Sequence, residues 1–201
     1  IVRGDGCHLE DSSGRRYIDA LAGLFSVNIG YSFGDEVGQA AHEQMRELPF
    51  YTNWSYAHPR AIELAAEIAE LAPGDLNRVF FVSGGSEAVE SAWKIAVQYF
   101  AKIGQPERRK VISRNFAYHG TTLGALSISG IPAMREPFEP LFPWAVKVMN
   151  TNRYRCESCA NAPACTLDCA VDIERKIIAE GPPGDVMRNQ SVIDAYLGAH
   201  H

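Results

Sequence analysis

The chain has 201 residues, 46% of them hydrophobic and 21% charged, with 19 Lys and Arg against 24 Asp and Glu for a formal net charge of −5. These are ordinary globular values that exclude a disordered or fibrous polypeptide, and a compact chain of this length buries roughly 70% of its unfolded surface. The negative balance, with Arg108-Arg109-Lys110 as the longest basic run, also argues against nucleic-acid binding, which needs clustered Lys and Arg.

No window approaches the roughly 18 consecutive apolar residues of a membrane span, and no basic segment followed by an apolar one opens the chain, so no membrane association and a cytoplasmic location are expected. The first residues, Ile1-Val2-Arg3, lack an initiator Met and lead straight into strand and turn, which predicts a missing N-terminal segment. Residues 7 to 18 read as a hairpin turned at Asp11-Ser12-Ser13-Gly14. Helical spacing starts at Gly34, with Val37, Ala40, Ala41, Gln44, Met45 and Leu48 on one stripe, and stops at Pro49. A second helix lies between His58-Pro59 and Pro73-Gly74, with Ile62, Ala65, Ala66, Ile68, Ala69 and Leu71 as its expected buried side.

Val79-Phe80-Phe81-Val82 is an unbroken apolar run, as expected of a strand covered on both faces, and Ser83-Gly84-Gly85-Ser86 interrupts it. Glu87 to Phe100 is strongly helical, with Ala88, Ala92, Ile95, Ala96 and Tyr99 on one face, and Lys110-Val111-Ile112-Ser113 follows as a second strand. Strand, loop, helix and strand in succession predict a parallel pair and an α/β fold. Beyond lie Phe116-Ala117-Tyr118-His119-Gly120, a helix over Thr121 to Ser127, a loop holding Pro132, Pro137, Pro140 and Pro143, a strand at Ala145-Val146-Lys147-Val148, a Cys-rich stretch, and a helical pattern from Val171 to Glu180.

A helix that starts directly behind Ser-Gly-Gly-Ser presents unpaired N–H groups and the positive end of its dipole, which suits a phosphate. The hydroxyls of Ser83 and Ser86 are possible further donors; the alternative is a plain helix cap. The loop is neither a Walker A sequence nor a Gly-x-Gly-x-x-Gly dinucleotide loop. Tyr118 follows the second strand, where α/β sheets take ligands, and its ring either stacks on a planar cofactor or caps the core.

Five ordered segments resemble the class III aminotransferases, pyridoxal-phosphate (PLP) enzymes of fold type I, especially those that act on ω-amino acids and pyruvate. They are Gly23 to Tyr31 after Tyr17-Ile18-Asp19; Phe50-Tyr51-Thr52-Asn53-Trp54 before His58-Pro59; Phe80 to Glu90; Ala117 to Thr122; and Asn150 to Arg155. The resemblance covers residues 3 to about 180. It implies an α/β, fold type I PLP-dependent transferase, with residues 1–48 in an N-terminal or small domain and 49–180 in a partial large domain. It makes Gly85 and Ser86 the phosphate ligands, and sets Tyr118 on the pyridine ring with His119 beside it. Phe25 and Trp54 then line a substrate pocket, or else serve as core aromatics. The implied reaction is transamination between an amine and a keto acid such as pyruvate, in a homodimer.

Two groups of the family pattern are missing. They are the Schiff-base lysine and the Asp that pairs with the pyridine nitrogen; the family places both further along the chain. The five lysines, Lys94, Lys102, Lys110, Lys147 and Lys176, offer no substitute, so no catalytic residue is assigned and the chain alone is expected to be inactive. The alternative is a noncatalytic interaction or zinc-binding scaffold. Residues 181–201 form an atypical tail: from Ile177 on, the sequence resembles the C-terminal tail of branched-chain amino-acid transporter ATPases, although without a Walker A loop. Cys156, Cys159, Cys165 and Cys169 fall close enough together for a tetrahedral zinc site, with free thiols as the alternative.

Overall fold

Asp11 organises the first turn of the chain. In the computed structural model, which describes residues 1–156, 159 and 164–179, its carboxylate accepts hydrogen bonds from the Ser13 hydroxyl (2.6 Å), the Tyr17 hydroxyl (2.7 Å) and the Ser13 and Arg15 N–H groups (2.8 and 3.1 Å). These bonds, the Ser13 hydroxyl foremost, stabilise the ionised form and hold the carboxyl well below its usual range. With Gly14 at φ +80°, the turn folds β2 (His8–Glu10) against β3 (Arg16–Ile18), Leu9 opposite Tyr17, as the Ser-Gly signal predicts. A further strand, β1 (Arg3–Asp5), adds antiparallel to β2.

Asp19 holds the next bend. It accepts from the Tyr31 hydroxyl (2.7 Å) and from the N–H groups of Gly23 (2.8 Å) and Leu21 (3.2 Å). The enclosed turn α1 (Ala22–Phe25) has positive φ throughout, 50° to 64°. Left-handed backbone costs non-glycine residues roughly 1–2 kcal/mol each, so Ala22, Leu24 and Phe25 are strained and the Asp19–Tyr31 pair is what retains them.

Helices α2 (Gly34–Glu47) and α3 (Pro59–Leu71) form where the spacing predicts. Pro59 opens α3 and the His58 ring Nδ1 accepts the Arg60 N–H at 3.2 Å. The expected buried side of α3 is not buried: Ile62 is 58% exposed and Leu71 87%. An apolar stripe specifies a face, but burial requires an opposing surface, and the described elements supply none there.

The chain forms two compact units, Ile1–Val79 and a second that begins at Phe80, a division later than the 48/49 boundary read from the sequence. The tail at 181–201 lies outside the described residues. Residues 79–82, where the second unit begins, form no strand, contrary to the expectation for Val79–Val82. A strand exists only through ladder hydrogen bonds, and no described segment pairs with this one. α4 (Gly85–Lys102) follows. Its half-buried apolar residues are Val89, Trp93, Val97 and Phe100, whereas the predicted face, Ala88, Ala92, Ile95, Ala96 and Tyr99, is exposed. The helix is apolar on two sides, and Trp93 decides which one packs: its indole N–H donates to the Arg109 carbonyl at 2.9 Å and its ring meets Phe142 edge-on at 6.2 Å.

β4 (Val111–Arg114) and β5 (Ala145–Val148) form a parallel pair, from Val111 opposite Ala145 to Arg114 opposite Val148. The expected parallel pairing therefore occurs, but its partner is the later strand. Between them run α5 (Leu123–Ile128) and α6 (Pro132–Arg135). Ala125, Leu126 and Ile128 of α5 are buried, as are Val146 and Val148 of β5. α7 (Asp168–Ala179) is tied to the end of β5 by the Asp172 carboxylate, which accepts the Met149 N–H at 2.7 Å. Among the described residues no helix is long and apolar enough to cross a membrane.

Lys147 joins these layers, its ammonium donating to Ser113 Oγ and the Ser127 carbonyl, both at 2.8 Å. Burial chiefly, then the positive charge of Arg135, lowers its pKa to about 8 from 10.5. Between these two values the unfolded chain binds more protons than the folded one, so stability rises with pH across that window. Denaturant midpoints measured over the same range should climb for the wild type and stay flatter for Lys147→Met.

Candidate functional site

α4 starts at a Gly84 whose backbone is extended, φ −174° and ψ 169°. The first N–H of its turn to find a backbone carbonyl is that of Ala88, bonded to Gly84 O at 3.0 Å. The N–H groups of Gly85, Ser86 and Glu87 precede it and have no carbonyl one turn back, so the positive end of an 18-residue helix is presented forward. A Cβ on Gly84 or Gly85 would meet nothing within 4 Å, which leaves the approach to these donors open.

The serines on either side of the glycines differ in role. The Ser83 hydroxyl and its N–H (2.8 Å) both donate to the Glu87 carboxylate, which turns back on the loop, and these bonds, the hydroxyl first, lower the Glu87 pKa. Ser83 therefore does not supply the extra donor that its position suggested. The Ser86 hydroxyl oxygen instead accepts the Thr121 N–H at 3.0 Å and keeps its own proton for a ligand.

Tyr118 and His119 are held beside this helix end by their backbone. Beyond β4 the Phe116 N–H donates to Gly130 O (2.8 Å) and the Gly130 N–H to Ala117 O (2.7 Å). The His119 N–H donates to the hydroxyl of fully buried Ser129 at 3.0 Å, which shares its own proton between the Gly120 and Ala125 carbonyls at 3.1 and 3.0 Å. Gly120, at φ +126°, lies so close to α4 that a Cβ there would fall 2.9 Å from Cα and Cβ of Ser86. The loop from 116 to 121 is thus clamped between Ser129-Gly130 and Ser86. Tyr118 is 58% exposed.

Sequence reasoning missed Glu90. Its carboxylate binds the Thr122 hydroxyl and the Gly124 N–H (2.9 Å), is lowered in pKa chiefly by the hydroxyl, and so ties α5 to α4 just behind the Tyr118 loop. Nothing in the spacing of Glu90 and Thr122 signals this. Phe25 and Trp54 lie in the first unit and are 72% and 93% exposed. Cys156, Cys159 and Cys169 are buried and Cys165 is exposed, and among the described residues no three His, Cys, Asp or Glu side chains are grouped to hold a metal ion.

Residues 1–180 match the family profile described as aminotransferase class-III. The chain belongs to this family. Its probable aminotransferase Rv3329, from Mycobacterium tuberculosis, is 57% identical over 155 residues, 77% of this chain and 33% of that one. A putrescine–pyruvate aminotransferase of Pseudomonas aeruginosa is 37% identical over 90% of this chain and 40% of its own length. Among solved structures, the omega-transaminase of Pseudomonas jessenii in complex with PMP superposes with a TM-score of 0.82 at 36% identity, covering 90% of this chain and 40% of that one. The chain spans about a third to two fifths of the length of the curated relatives it matches. Its architecture is part of the α/β, fold type I PLP-dependent transferase. Residues 176–201 match a second profile, branched-chain amino acid ATP-binding cassette transporter, in agreement with the resemblance of the tail.

The contact between Gly120 and Ser86 makes a direct expectation. Gly120→Ala should lower Tm by several degrees, equivalent to about 1–3 kcal/mol, because both the positive φ and the backbone of Ser86 oppose the added methyl. Gly85→Ala, facing open space within the helix, should leave Tm nearly unchanged in the same calorimetric scan.

Proposed function

We propose that this chain provides the phosphate- and ring-binding part of a PLP-dependent class III aminotransferase that exchanges the amino group of an amine or ω-amino acid with a keto acid such as pyruvate. The observation that carries the reading is the Thr121 N–H to Ser86 bond, which brings the Tyr118 loop onto the open N-terminus of α4. The residues fit the cofactor: glycines without a Cβ in the approach, free N–H groups at a helix dipole's positive end, and a hydroxyl with a proton to give. Bound there, PLP supplies the electron sink that makes amino-group exchange possible.

Gly85 and Ser86 hold the phosphate through main-chain N–H groups, and the Ser86 hydroxyl adds a third donor. Tyr118 would offer its ring to the planar ring of the cofactor, with His119 beside it. Glu90 keeps the loop in place by anchoring Thr122 and Gly124. The family resemblance assigns Phe25 and Trp54, in the first unit, to the substrate side chain. Lys147, whose amine has the lowered pKa, is committed to Ser113 and Ser127, and the other four lysines lie outside the loops at 83–86 and 116–121. The chain alone therefore holds the cofactor without turnover, and the homodimer of the resemblance belongs to the complete enzyme.

Titration with PLP, followed by quenching of Trp and Tyr fluorescence, should show saturable binding in competition with inorganic phosphate. Ser86→Ala should weaken it about tenfold, the value of one hydrogen bond to a charged group, and Tyr118→Ala about three- to tenfold. Borohydride treatment should leave no covalent adduct. Binding insensitive to Ser86 and Tyr118, or a stable reduced lysine adduct with measurable transamination, contradicts the reading.

A further inference from the structure

Cys159 is the centre of a sulfur cluster that the cofactor loop does not use. Cys156, Cys159 and Cys169 are 4%, 8% and 7% exposed and pack with Met149 between the end of β5 and the start of α7. The Cys159 thiol is hydrogen-bonded to both Cys156 and Cys165. Cys165 itself is exposed. Cys159 thus connects a buried thiol to one that solvent reaches. Among the described residues no three His, Cys, Asp or Glu side chains are grouped to hold a metal ion. Two thiols in contact, one accessible and one sheltered, are instead arranged for thiol–disulfide exchange.

We propose that Cys159 and Cys165 form a reversible disulfide by exchange with a small external disulfide such as oxidised glutathione. Exposure sets the order of events. The Cys165 thiolate attacks one sulfur of the external disulfide, forms a mixed disulfide and releases the first small thiol. Cys159 then gives its proton to solvent and attacks the Cys165 sulfur; the Cys159–Cys165 bond forms, the mixed bond breaks, and the second small thiol leaves with a proton. Two protein thiols are oxidised and one external disulfide is reduced to two thiols. The hydrogen bond to Cys156 above all, with burial, pushes the Cys159 thiol up to about 11, which makes it the resolving and not the attacking group and makes the second step faster as pH rises. The bridge fastens the segment ahead of α7, the helix whose Asp172 holds the Met149 N–H.

The test uses the full 201-residue chain, reduced, freed of small thiols, exposed to oxidised glutathione, alkylated and digested with trypsin without reduction. One tryptic peptide, Cys156 to Arg175, carries the four cysteines of the cluster, apart from Cys7. It should come out with alkyl groups on Cys156 and Cys169 only and with a bridge from Cys159 to Cys165. Cys159→Ser should trap the mixed disulfide on Cys165, and Cys165→Ser, a change at an exposed position, should leave the remaining three cysteines open to alkylation after unfolding. Four alkylated cysteines in the oxidised wild type, a bridge between another pair, an unmodified Cys165 in Cys159→Ser, or stoichiometric zinc that shields all four thiols would each overturn the proposal.

Discussion

Gly120 and Thr121 approach Ser86 so closely that two segments far apart in sequence become one surface. The approach depends on the missing Cβ of Gly120 and on one hydrogen bond, from the Thr121 N–H to the Ser86 hydroxyl. From that contact the rest of the second unit follows in order: Tyr118 and His119 lie two or three residues away, Ser129 and Gly130 hold the far side of the same loop, and α5 begins immediately after it. The bond also determines the chemistry of Ser86, because a hydroxyl whose oxygen is occupied by an N–H has its proton left for an anion.

Carboxylates do most of the local organisation. Asp11 and Asp19 shape the turns of the first unit, and Glu87 and Glu90, one helical turn apart on α4, hold the loop before the helix and the loop after β4. All four are lowered in pKa by the hydroxyl and N–H groups that they accept from. Their contribution is therefore present at neutral pH and is lost only as pH falls through the depressed values in the folded state. The common pattern is an acidic side chain satisfying backbone donors that no helix or strand partner takes, which orders loops where the described residues form two short sheets.

A second theme is apolar surface patterned for burial. The outer side of α3, the second side of α4 and the extended Phe80-Phe81 segment carry Ile62, Leu71, Ile95, Tyr99 and Phe80, all more than half exposed. The buried centre is concentrated instead where α5 meets β5. The relatives are two and a half to three times as long as the matched part of this chain. Faces of this kind explain why amphipathic spacing located every long helix correctly but misjudged which side packs.

The sequence by itself determined most of the element types, the α/β class and the family, because turn chemistry, helix boundaries at Pro and Gly, and the Ser-Gly-Gly-Ser junction are local properties of neighbouring residues. It also placed Gly85, Ser86 and Tyr118 together as candidates, through ordered motifs whose spacing is itself linear information. Only the tertiary structure decided that β4 pairs with Ala145–Val148 and not with the run at 79–82, that Ser83 is spent on Glu87 while Ser86 is not, that Glu90 anchors Thr122 and Gly124, and that Cys159 touches two other thiols. Each of these depends on where a side chain or a strand edge points after the chain has folded back on itself, and a pairing between distant residues leaves no periodicity in the sequence from which to read it.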